Sequence, residues 1–295
     1  MFAWHASPAV ILLRMENDVL DGQVAVVTGG GRGLGRAFGI GLARAGARVA
    51  IVARTANQVD EGARMIRDAG GTAAAIVADV ADPAGVSAML REVERTLGPV
   101  DILVNNAGAG GPFGPTWEGN GDEWWRAFEV NVRGPFLTSH AVLPGMMARG
   151  CGRIINIASG AGTRPIPYMS AYVTSKCALI RFSEVLAAET QQYGVSIFAI
   201  QPGTVKTAMV QDVLNTPDSE RWFPWLRQIL DSGQDVTTEP ATNLVLYLAS
   251  GKADALSGRF FMVPDDPAEV VARAEQVRRD ELYTMRMRRL PIGAG

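Results

Sequence analysis

The chain has 295 residues, of which 47% are hydrophobic and 20% are charged, so a mostly disordered chain is excluded. This length suffices for one large α/β domain with a packed core. Because 28 basic side chains nearly balance 30 acidic ones, the charge gives no general footprint for nucleic-acid binding.

Cysteine and histidine usage narrows the class of protein further. Cys151 and Cys177 are too few for a disulfide framework and fit a reducing compartment, so we expect a cytoplasmic protein. His5 and His140 are the two histidines, which excludes a site with three histidine ligands, and we expect no metal. The apolar run at residues 8–13 is too short to span a bilayer, so no membrane association is expected.

Residues 1–21 are expected to form a poorly ordered N-terminal extension, and Met15 is an equally good candidate for the native start. From residue 23 onward, apolar runs alternate with helical patterns. The predicted strands cover residues 24–27, 48–53, 73–78, 100–104, 153–157, 195–200 and 259–263. The predicted helices cover residues 36–46, 57–69, 83–96, 122–148 with an interruption near 134–135, 170–191 and 238–250. This alternation predicts a single doubly wound α/β Rossmann domain over residues 22–264, with a parallel sheet of about seven strands covered by helices on both faces.

A glycine-rich turn follows the first predicted strand and opens the first predicted helix. Glycines let the backbone approach a pyrophosphate, and the helix N-terminus offers free N–H groups. The residues that would form this phosphate cradle are Gly29, Gly31, Arg32, Gly33, Leu34 and Gly35. A flexible loop is the alternative, which the flanking strand and helix make less favourable. The spacing, Thr-Gly-x-x-x-Gly-x-Gly from Thr28 to Gly35, resembles that of the short-chain dehydrogenase/reductase family.

The end of the second strand bears on which dinucleotide is bound. NAD sites place an acidic residue there to hold the ribose 2′-hydroxyl, whereas this chain has Arg54-Thr55. Arg54, together with Arg32 in the glycine turn, could pair with a 2′-phosphate, and the resemblance implies basic residues at both places in NADP-preferring members. We therefore expect NADP(H) rather than NAD(H), the alternative being two solvated surface arginines.

Three further segments match motifs of the family in the right order. The resemblance implies that Asp79 accepts from the adenine amino group and that Val80 packs on the ring. It also implies that Asn106, Ala107 and Gly108 of the block Asn105-Asn106-Ala107-Gly108 border the adenosine ribose. In the last segment, residues 202–207, the resemblance places Pro202, Gly203, Val205 and Thr207 around the carboxamide. Taken singly, these segments are also ordinary caps and turns.

A Tyr-x-x-x-Lys pair provides the candidate catalytic groups. Tyr172 and Lys176 are four residues apart, so they share one helical face, as exposed pairs often do by chance. Ser159 precedes Tyr172 after the fifth strand, and Asn131 lies on the preceding helix, so the four resemble the family's Asn-Ser-Tyr-Lys tetrad. Tyr168 has no basic residue four positions later, so it is excluded as the tyrosine of this pair.

The resemblance and the chemistry of a phenol together suggest roles for this tetrad. Tyr172 is expected to be the general acid/base, with a pKa lowered by the Lys176 ammonium and a cationic nicotinamide ring. Lys176 is also expected to hold the nicotinamide ribose. Ser159 is expected to orient the substrate oxygen, and Asn131 to hold a water of the proton relay.

Two segments outside these motifs bear on substrate and assembly. Residues 208–236 contain an aromatic cluster that predicts either a lid over an apolar ligand or the packing of a short helix. Residues 109–118 are expected to form another pocket wall through Phe113 and Trp117. The tail, residues 265–295, begins with a helix-start signal and has Val270, Ala274 and Val277 on one helical face, which predicts a helical extension. It would pack on a neighbouring subunit, border the active site or remain solvated.

The sequence therefore predicts an NAD(P)-dependent oxidoreductase that interconverts a secondary alcohol and a ketone or aldehyde. Its substrate would be an apolar small molecule. The resemblance to the family also implies a homodimer or homotetramer. The alternative is a catalytically inactive dinucleotide-binding sensor or scaffold of the same fold, against which the intact tetrad argues.

Overall fold

The computed structural model describes residues 19–233 and 236–287. The predictions for residues 1–18, including the alternative start at Met15, lie outside this part of the chain. Seven parallel strands form one sheet in the order β3-β2-β1-β4-β5-β6-β7. The strands are β1 (Val24–Thr28), β2 (Arg48–Ala53), β3 (Ala73–Val77), β4 (Ile102–Asn105), β5 (Gly152–Ile157), β6 (Val195–Gln201) and β7 (Phe260–Met262). The predicted doubly wound α/β fold is confirmed.

Helices cover both faces of this sheet. Those of the first half are α1 (Gly33–Arg44), α2 (Ala56–Asp68), α3 (Pro83–Thr96), α4 (Gly121–Phe128) and α5 (Gly134–Arg149). Those of the second half are α6 (Ser170–Thr190), α7 (Ala208–Leu214), α8 (Ser219–Trp222), α9 (Pro224–Asp231), α10 (Glu239–Ala249), α11 (Pro267–Ala272) and α12 (Ala274–Arg279). No helix in the described ranges combines the length and hydropathy needed to cross a bilayer.

The strand β1 shows why its sequence is a continuous apolar run. All of its residues are buried, and successive side chains point to opposite faces. Ala25 and Val27 join the core under α1, α2 and α10, whereas Val24 and Val26 join the core under α3, α5 and α6. A strand covered on both faces needs apolar residues at every position, so it shows no polar alternation.

The long helix predicted over residues 122–148 is divided into three parts. A π-helical segment, Glu129–Arg133, separates α4 from α5, and the N–H of Gly134 donates to the carbonyl of Glu129 five residues earlier. Pro135 has no amide hydrogen, so it sits in the first turn of α5 instead of continuing the preceding ladder. The interruption thus begins about one turn before the predicted position, and it contains Asn131.

The C-terminal tail packs on the core of its own chain, a surface that the sequence pattern did not identify. Val270 and Val277 are buried beside α1 and α10, and the expected single helix is divided between α11 and α12 at Arg273. Beyond α12, the ring of Tyr283 stacks on Phe261 with centroids 6.2 Å apart. The N–H of Phe260 in β7 donates to the carbonyl of Tyr283 at 2.9 Å, so the tail covers the edge of the sheet.

The topology also determines where a ligand can bind. The strand order reverses between β1 and β4, which are paired through Val26 and Leu103. In an open parallel sheet, a crevice forms at such a reversal, outside the carboxyl ends of the strands. The glycine turn follows β1 and the Asn105-Asn106-Ala107-Gly108 block begins at the end of β4, so both lie at this crevice.

Candidate active site

One cavity of about 540 Å³ lies at the carboxyl ends of the strands. Its lining includes every residue that the sequence assigned to cofactor binding, together with Ser159. These are Gly29, Gly31, Arg32, Gly33, Leu34, Gly35, Arg54, Thr55, Asp79, Val80, Asn106, Ala107, Gly108, Ser159, Tyr172, Lys176, Pro202, Gly203, Val205 and Thr207. Asn131 does not reach the cavity surface. The fold therefore brings seven separate chain segments to one site.

Hydrogen bonds between β1 and β4 hold the glycine turn in place. The Thr28 hydroxyl oxygen accepts from the N–H of Asn106 at 3.0 Å and from that of Ala107 at 3.1 Å. In return, the Asn106 side chain donates to the carbonyls of Thr28 at 3.0 Å and Gly29 at 3.2 Å. The start of α1 lies so close to Gly29 and Asn106 that a Cβ at Gly35 would overlap the Gly29 carbonyl and the Asn106 side-chain amide. Only glycine fits there.

The residues of the turn suit the pyrophosphate of a dinucleotide. Helix α1 begins at Gly33 with Arg32 as its N-cap and has no side-chain cap, so its first N–H groups are open to an anionic ligand. The Arg36 guanidinium Nε donates to the Gly31 carbonyl at 2.9 Å and so fixes the turn from behind. Gly33 has φ +54° and no side chain to fill the cradle.

Two arginines line the cavity, Arg32 in the glycine turn and Arg54 directly after β2. Arg32 and Arg54 are both exposed, and neither guanidinium forms a hydrogen bond or ion pair within residues 19–233 and 236–287. No carboxylate follows β2 at this place, where the chain has Arg54-Thr55. A guanidinium with free N–H groups suits a phosphate rather than a hydroxyl alone.

Asp79 also lines the cavity, just beyond β3, and its carboxylate has two partners. One oxygen accepts from the N–H of Ala81 at 2.9 Å, and the other pairs with Arg126 at 2.7 Å. Partial burial acts to raise the pKa of Asp79, but the Ala81 N–H and the Arg126 guanidinium outweigh burial and lower this pKa. Sequence reasoning missed Arg126, because its partner is 47 residues away and no local pattern links the two.

Tyr172 and Lys176 lie on one face of α6, as their spacing predicts. Lys176 is 4% exposed, and its ammonium donates to the Ile157 carbonyl at 2.7 Å and lies 5.7 Å from the centre of the Tyr172 ring. Burial lowers the pKa of Lys176 from 10.5 to about 8. Ile157 ends β5, and its carbonyl is a lysine partner that no side-chain motif could reveal.

The Tyr172 hydroxyl differs from the expectation in its acidity. Burial raises the pKa of Tyr172, and the neighbouring Ser159 hydroxyl offsets this only in part. The expected lowering of this pKa involves both Lys176 and a cationic nicotinamide ring, and Lys176 alone does not produce it. The reason for the difference is that the same apolar surroundings that bury Lys176 also disfavour the phenolate. Any lowering must therefore come from a further positive charge brought into the cavity.

Asn131 lies one layer behind the cavity in the π-helical segment. It is fully buried, and its side-chain oxygen accepts from the N–H of Ala109 at 2.8 Å. Its amide nitrogen donates to the Ala109 carbonyl at 2.8 Å and to the Ser175 hydroxyl at 2.9 Å. Both amide hydrogens are thus used within the protein. The side chain joins the segment after β4 to α6, beside Tyr172 and Lys176.

The substrate end of the cavity is apolar. Its lining residues are Phe113, Ile166, Met169, Met209, Val210, Val213, Trp225 and Leu226. Trp117, expected in the same wall as Phe113, instead points to solvent and is 82% exposed.

In the aromatic cluster of residues 208–233, some side chains line the cavity and others pack in the core, and its function as a lid stays a prediction. Met209 and Trp225 line the cavity, whereas Phe223 is buried and packs edge-on against Phe113 with centroids 6.0 Å apart. Trp222 stacks on Tyr168, which has a left-handed backbone (φ +68°). Tyr168, although it is not part of the Tyr-x-x-x-Lys pair, thus helps to hold this segment beside the cavity.

The buried ammonium leads to a stability prediction for Lys176→Met. Because the folded-state pKa is about 8 and the unfolded value is 10.5, the buried charge costs about 3 kcal/mol below pH 8. This cost shrinks as pH rises from 8 to 10.5. Methionine removes the charge but leaves the Ile157 carbonyl without its donor. We therefore expect the free energy of unfolding at pH 7 to rise by roughly 1–2 kcal/mol.

Urea unfolding at pH 7 and at pH 10 measures this effect. The gain of the methionine variant over the unmodified protein should be larger at pH 7. A variant that is less stable at pH 7, or a gain that does not change with pH, would contradict a buried ammonium.

Comparison with known proteins gives the family. The family model described as short chain dehydrogenase matches residues 23–218. A short chain dehydrogenase of Pseudocercospora fijiensis (strain CIRAD86) is 36% identical, over 96% of this chain and 94% of the relative.

Two solved structures show the same likeness. An NAD⁺-bound xylitol dehydrogenase has a TM-score of 0.76 at 28% identity, covering 82% of this chain and 98% of that one. A single-substitution variant of an actinorhodin polyketide ketoreductase, solved with NADPH, has a TM-score of 0.76 at 30% identity, covering 82% and 95%. The family model matches most of the chain, and the relative is similar over nearly all of it. Members of this family are oxidoreductases that act on alcohols with NAD or NADP. The protein therefore belongs to the short-chain dehydrogenase/reductase family.

Proposed function

We propose that this protein interconverts an apolar ketone and the corresponding secondary alcohol with NADP(H) as its cofactor. The observation that carries the proposal is that one cavity joins a glycine turn and two arginines, which have no partner among the described residues, to Ser159, Tyr172 and an apolar end. The nicotinamide cofactor, when bound, supplies or accepts the hydride. The protein's own residues bind, orient and move the proton.

The cofactor-binding residues divide along the length of the cavity. The open N–H groups at the start of α1 would receive the pyrophosphate, and Arg32 and Arg54 would pair with the 2′-phosphate. Asp79 would accept from the adenine 6-amino group, with Val80 packed on the base. At the other end, Val205 and Thr207 would hold the carboxamide, which selects the ring face turned to the substrate.

The proton steps fall to the tetrad. Tyr172 would donate its phenolic proton to the carbonyl oxygen during reduction and accept it during oxidation. Ser159, whose hydroxyl affects the acidity of Tyr172, would hydrogen-bond the same substrate oxygen. Lys176, held by the Ile157 carbonyl, would bind the ribose hydroxyls and return the proton. Asn131 would act by holding Ala109 and Ser175 in register, beside the water of the relay.

The substrate class follows from the apolar end of the cavity. Each charged side chain in the lining belongs to the parts assigned to the cofactor or to catalysis, namely Arg32, Arg54, Asp79 and Lys176. An anionic or cationic substrate would lose its hydration there without a partner. The apolar wall of the 208–231 region therefore favours an uncharged, largely apolar carbonyl compound.

The cofactor preference is tested by titrating the protein with NADPH and NADH in parallel. We expect NADPH to bind at least about tenfold more tightly, because a charge-assisted hydrogen bond contributes on the order of 1.5–3 kcal/mol. Arg32→Ala and Arg54→Ala should each weaken NADPH binding about tenfold and leave NADH binding nearly unchanged.

Arg91→Ala is the matched control, since Arg91 is also exposed but lies on α3, away from the cavity. It should change neither affinity. Tighter binding of NADH by the unmodified protein would refute the assignment of both arginines. Binding of NADPH without turnover of any apolar ketone or secondary alcohol would favour the inactive sensor.

A further inference from the structure

Arg126 lies outside the cavity lining and forms ion pairs with two carboxylates, those of Asp79 and Glu129. It lies in the last turn of α4, and its Nη1 pairs with Glu129 at 2.7 Å while its Nη2 pairs with Asp79 at 2.7 Å. All three side chains are partly buried, with exposed fractions of 38% for Arg126, 33% for Asp79 and 43% for Glu129. One guanidinium thus joins the wall of the cavity to the first residue of the π-helical segment.

The two hydrogen bonds on Asp79 leave its carboxylate little freedom. The Ala81 N–H holds one oxygen at 2.9 Å, and Arg126 holds the other. A carboxylate oxygen has two acceptor positions, so each oxygen keeps one for a ligand. Without Arg126, the group could rotate about its single bonds and approach Arg54, whose charge also acts on it.

A second contact ties the same wall to the same segment. A Cβ at Gly134, the first residue of α5, would lie 2.8 Å from a methyl carbon of Val80. The Asp79-Val80 turn is therefore packed directly on the region that follows the π-helical segment. The wall is fixed by van der Waals contact at Val80 and by an ion pair at Asp79.

We propose that Arg126 is a positioning residue for base recognition: it orients the Asp79 carboxylate so that the protein selects a dinucleotide whose base bears a 6-amino group. The proposal rests on the proposed function, in which Asp79 accepts from that amino group. It adds a residue that touches neither cofactor nor substrate and acts only through Asp79.

The test compares NADPH with its hypoxanthine analogue, which has a 6-oxo group in place of the 6-amino group. The unmodified protein should bind NADPH at least about tenfold more tightly, since a carboxylate facing the oxo group loses its donor. In Arg126→Gln, NADPH should bind about tenfold more weakly and the analogue nearly as before, so that the ratio of the two affinities falls about tenfold. Arg126→Lys keeps the charge without the two-pronged grip and should give an intermediate ratio.

Arg95→Gln is the matched control, because Arg95 also pairs with a glutamate three residues away but on the exposed face of α3. The ratio of its affinities for NADPH and the hypoxanthine analogue should equal that of the unmodified protein. A ratio unchanged in Arg126→Gln would overturn the role of Arg126 while leaving the proposed function intact. Equal binding of the two dinucleotides by the unmodified protein would overturn the adenine contact and, with it, this proposal. Equal weakening of both dinucleotides in the variant would mean a general structural loss and would also overturn it.

Discussion

Tyr172→Phe is expected to lower kcat by about 10²–10⁴-fold, which is the usual contribution of one general acid/base. Phenylalanine keeps the ring and its packing but removes the proton that the substrate oxygen needs. The ring remains beside Lys176, and the hydrogen bond from Lys176 to the Ile157 carbonyl does not involve the phenol. NADPH affinity should therefore change by no more than about tenfold, since at most one hydrogen bond is lost.

Single-turnover kinetics and a binding titration on the same protein preparation separate these two effects. Tyr193→Phe is a suitable control, because Tyr193 is 41% exposed and lies just beyond the far end of the same helix. It removes a phenol hydroxyl away from the cavity and should leave kcat unchanged. Turnover retained in Tyr172→Phe would remove the tyrosine from the mechanism.

The second large effect is expected at the glycine turn. In Gly35→Ala, the added methyl group would overlap the Gly29 carbonyl and the Asn106 side chain, which are both held by hydrogen bonds. The start of α1 must then move away from β4. Loss of two hydrogen bonds from the turn to a pyrophosphate, at about 1.5–3 kcal/mol each, lowers dinucleotide affinity by at least about 10²-fold. Strain of this kind also lowers stability by about 1–3 kcal/mol.

Gly121→Ala provides the control for Gly35→Ala. Gly121 also begins a helix, but no atom lies within 4 Å of the position where its Cβ would be. Its affinity for NADPH and its melting temperature should match those of the unmodified protein. Tight NADPH binding by Gly35→Ala would show that the turn can shift without affecting the ligand, and the close approach would lose its assigned purpose.

The sequence predicts the fold well, because its signals are local. Buried parallel strands consist of continuous apolar runs, as in residues 24–27, and the glycine turn that follows β1 is recognisable from its spacing. The site follows from the fold for the same reason. Once strands alternate with helices, residues placed just after β1, β2, β3, β4 and β6 must meet at one edge of the sheet.

What the sequence does not predict depends on contacts between distant segments. The pair Arg126–Asp79 joins α4 to the end of β3, and the Lys176 partner is a backbone carbonyl. For a related reason, the sequence does not show that burial outweighs Lys176 at the Tyr172 phenol. The depth of burial of a side chain depends on every segment packed around it, whereas a motif shows only its own residues.

The tail gives the same lesson at the other end of the chain. Its apolar spacing at Val270 and Val277 correctly indicates a buried face, but the pattern does not say which surface covers it. The break between α11 and α12 changes the direction of the chain, and the following residues then return to β7. Arg286, at the end of the described residues, pairs with Glu184 of α6.

This return of the chain over β7 bears on how the protein can be handled and how it avoids aggregation. An uncovered edge strand offers free N–H and C=O groups to any other extended chain, which is a route to intermolecular β-pairing. Here the Tyr283 carbonyl already accepts from Phe260, and the Tyr283 ring shields Phe261. Residues 280–287 thus cover the edge strand β7. A protein truncated after residue 279, or fused to another protein there, would expose β7 to intermolecular β-pairing.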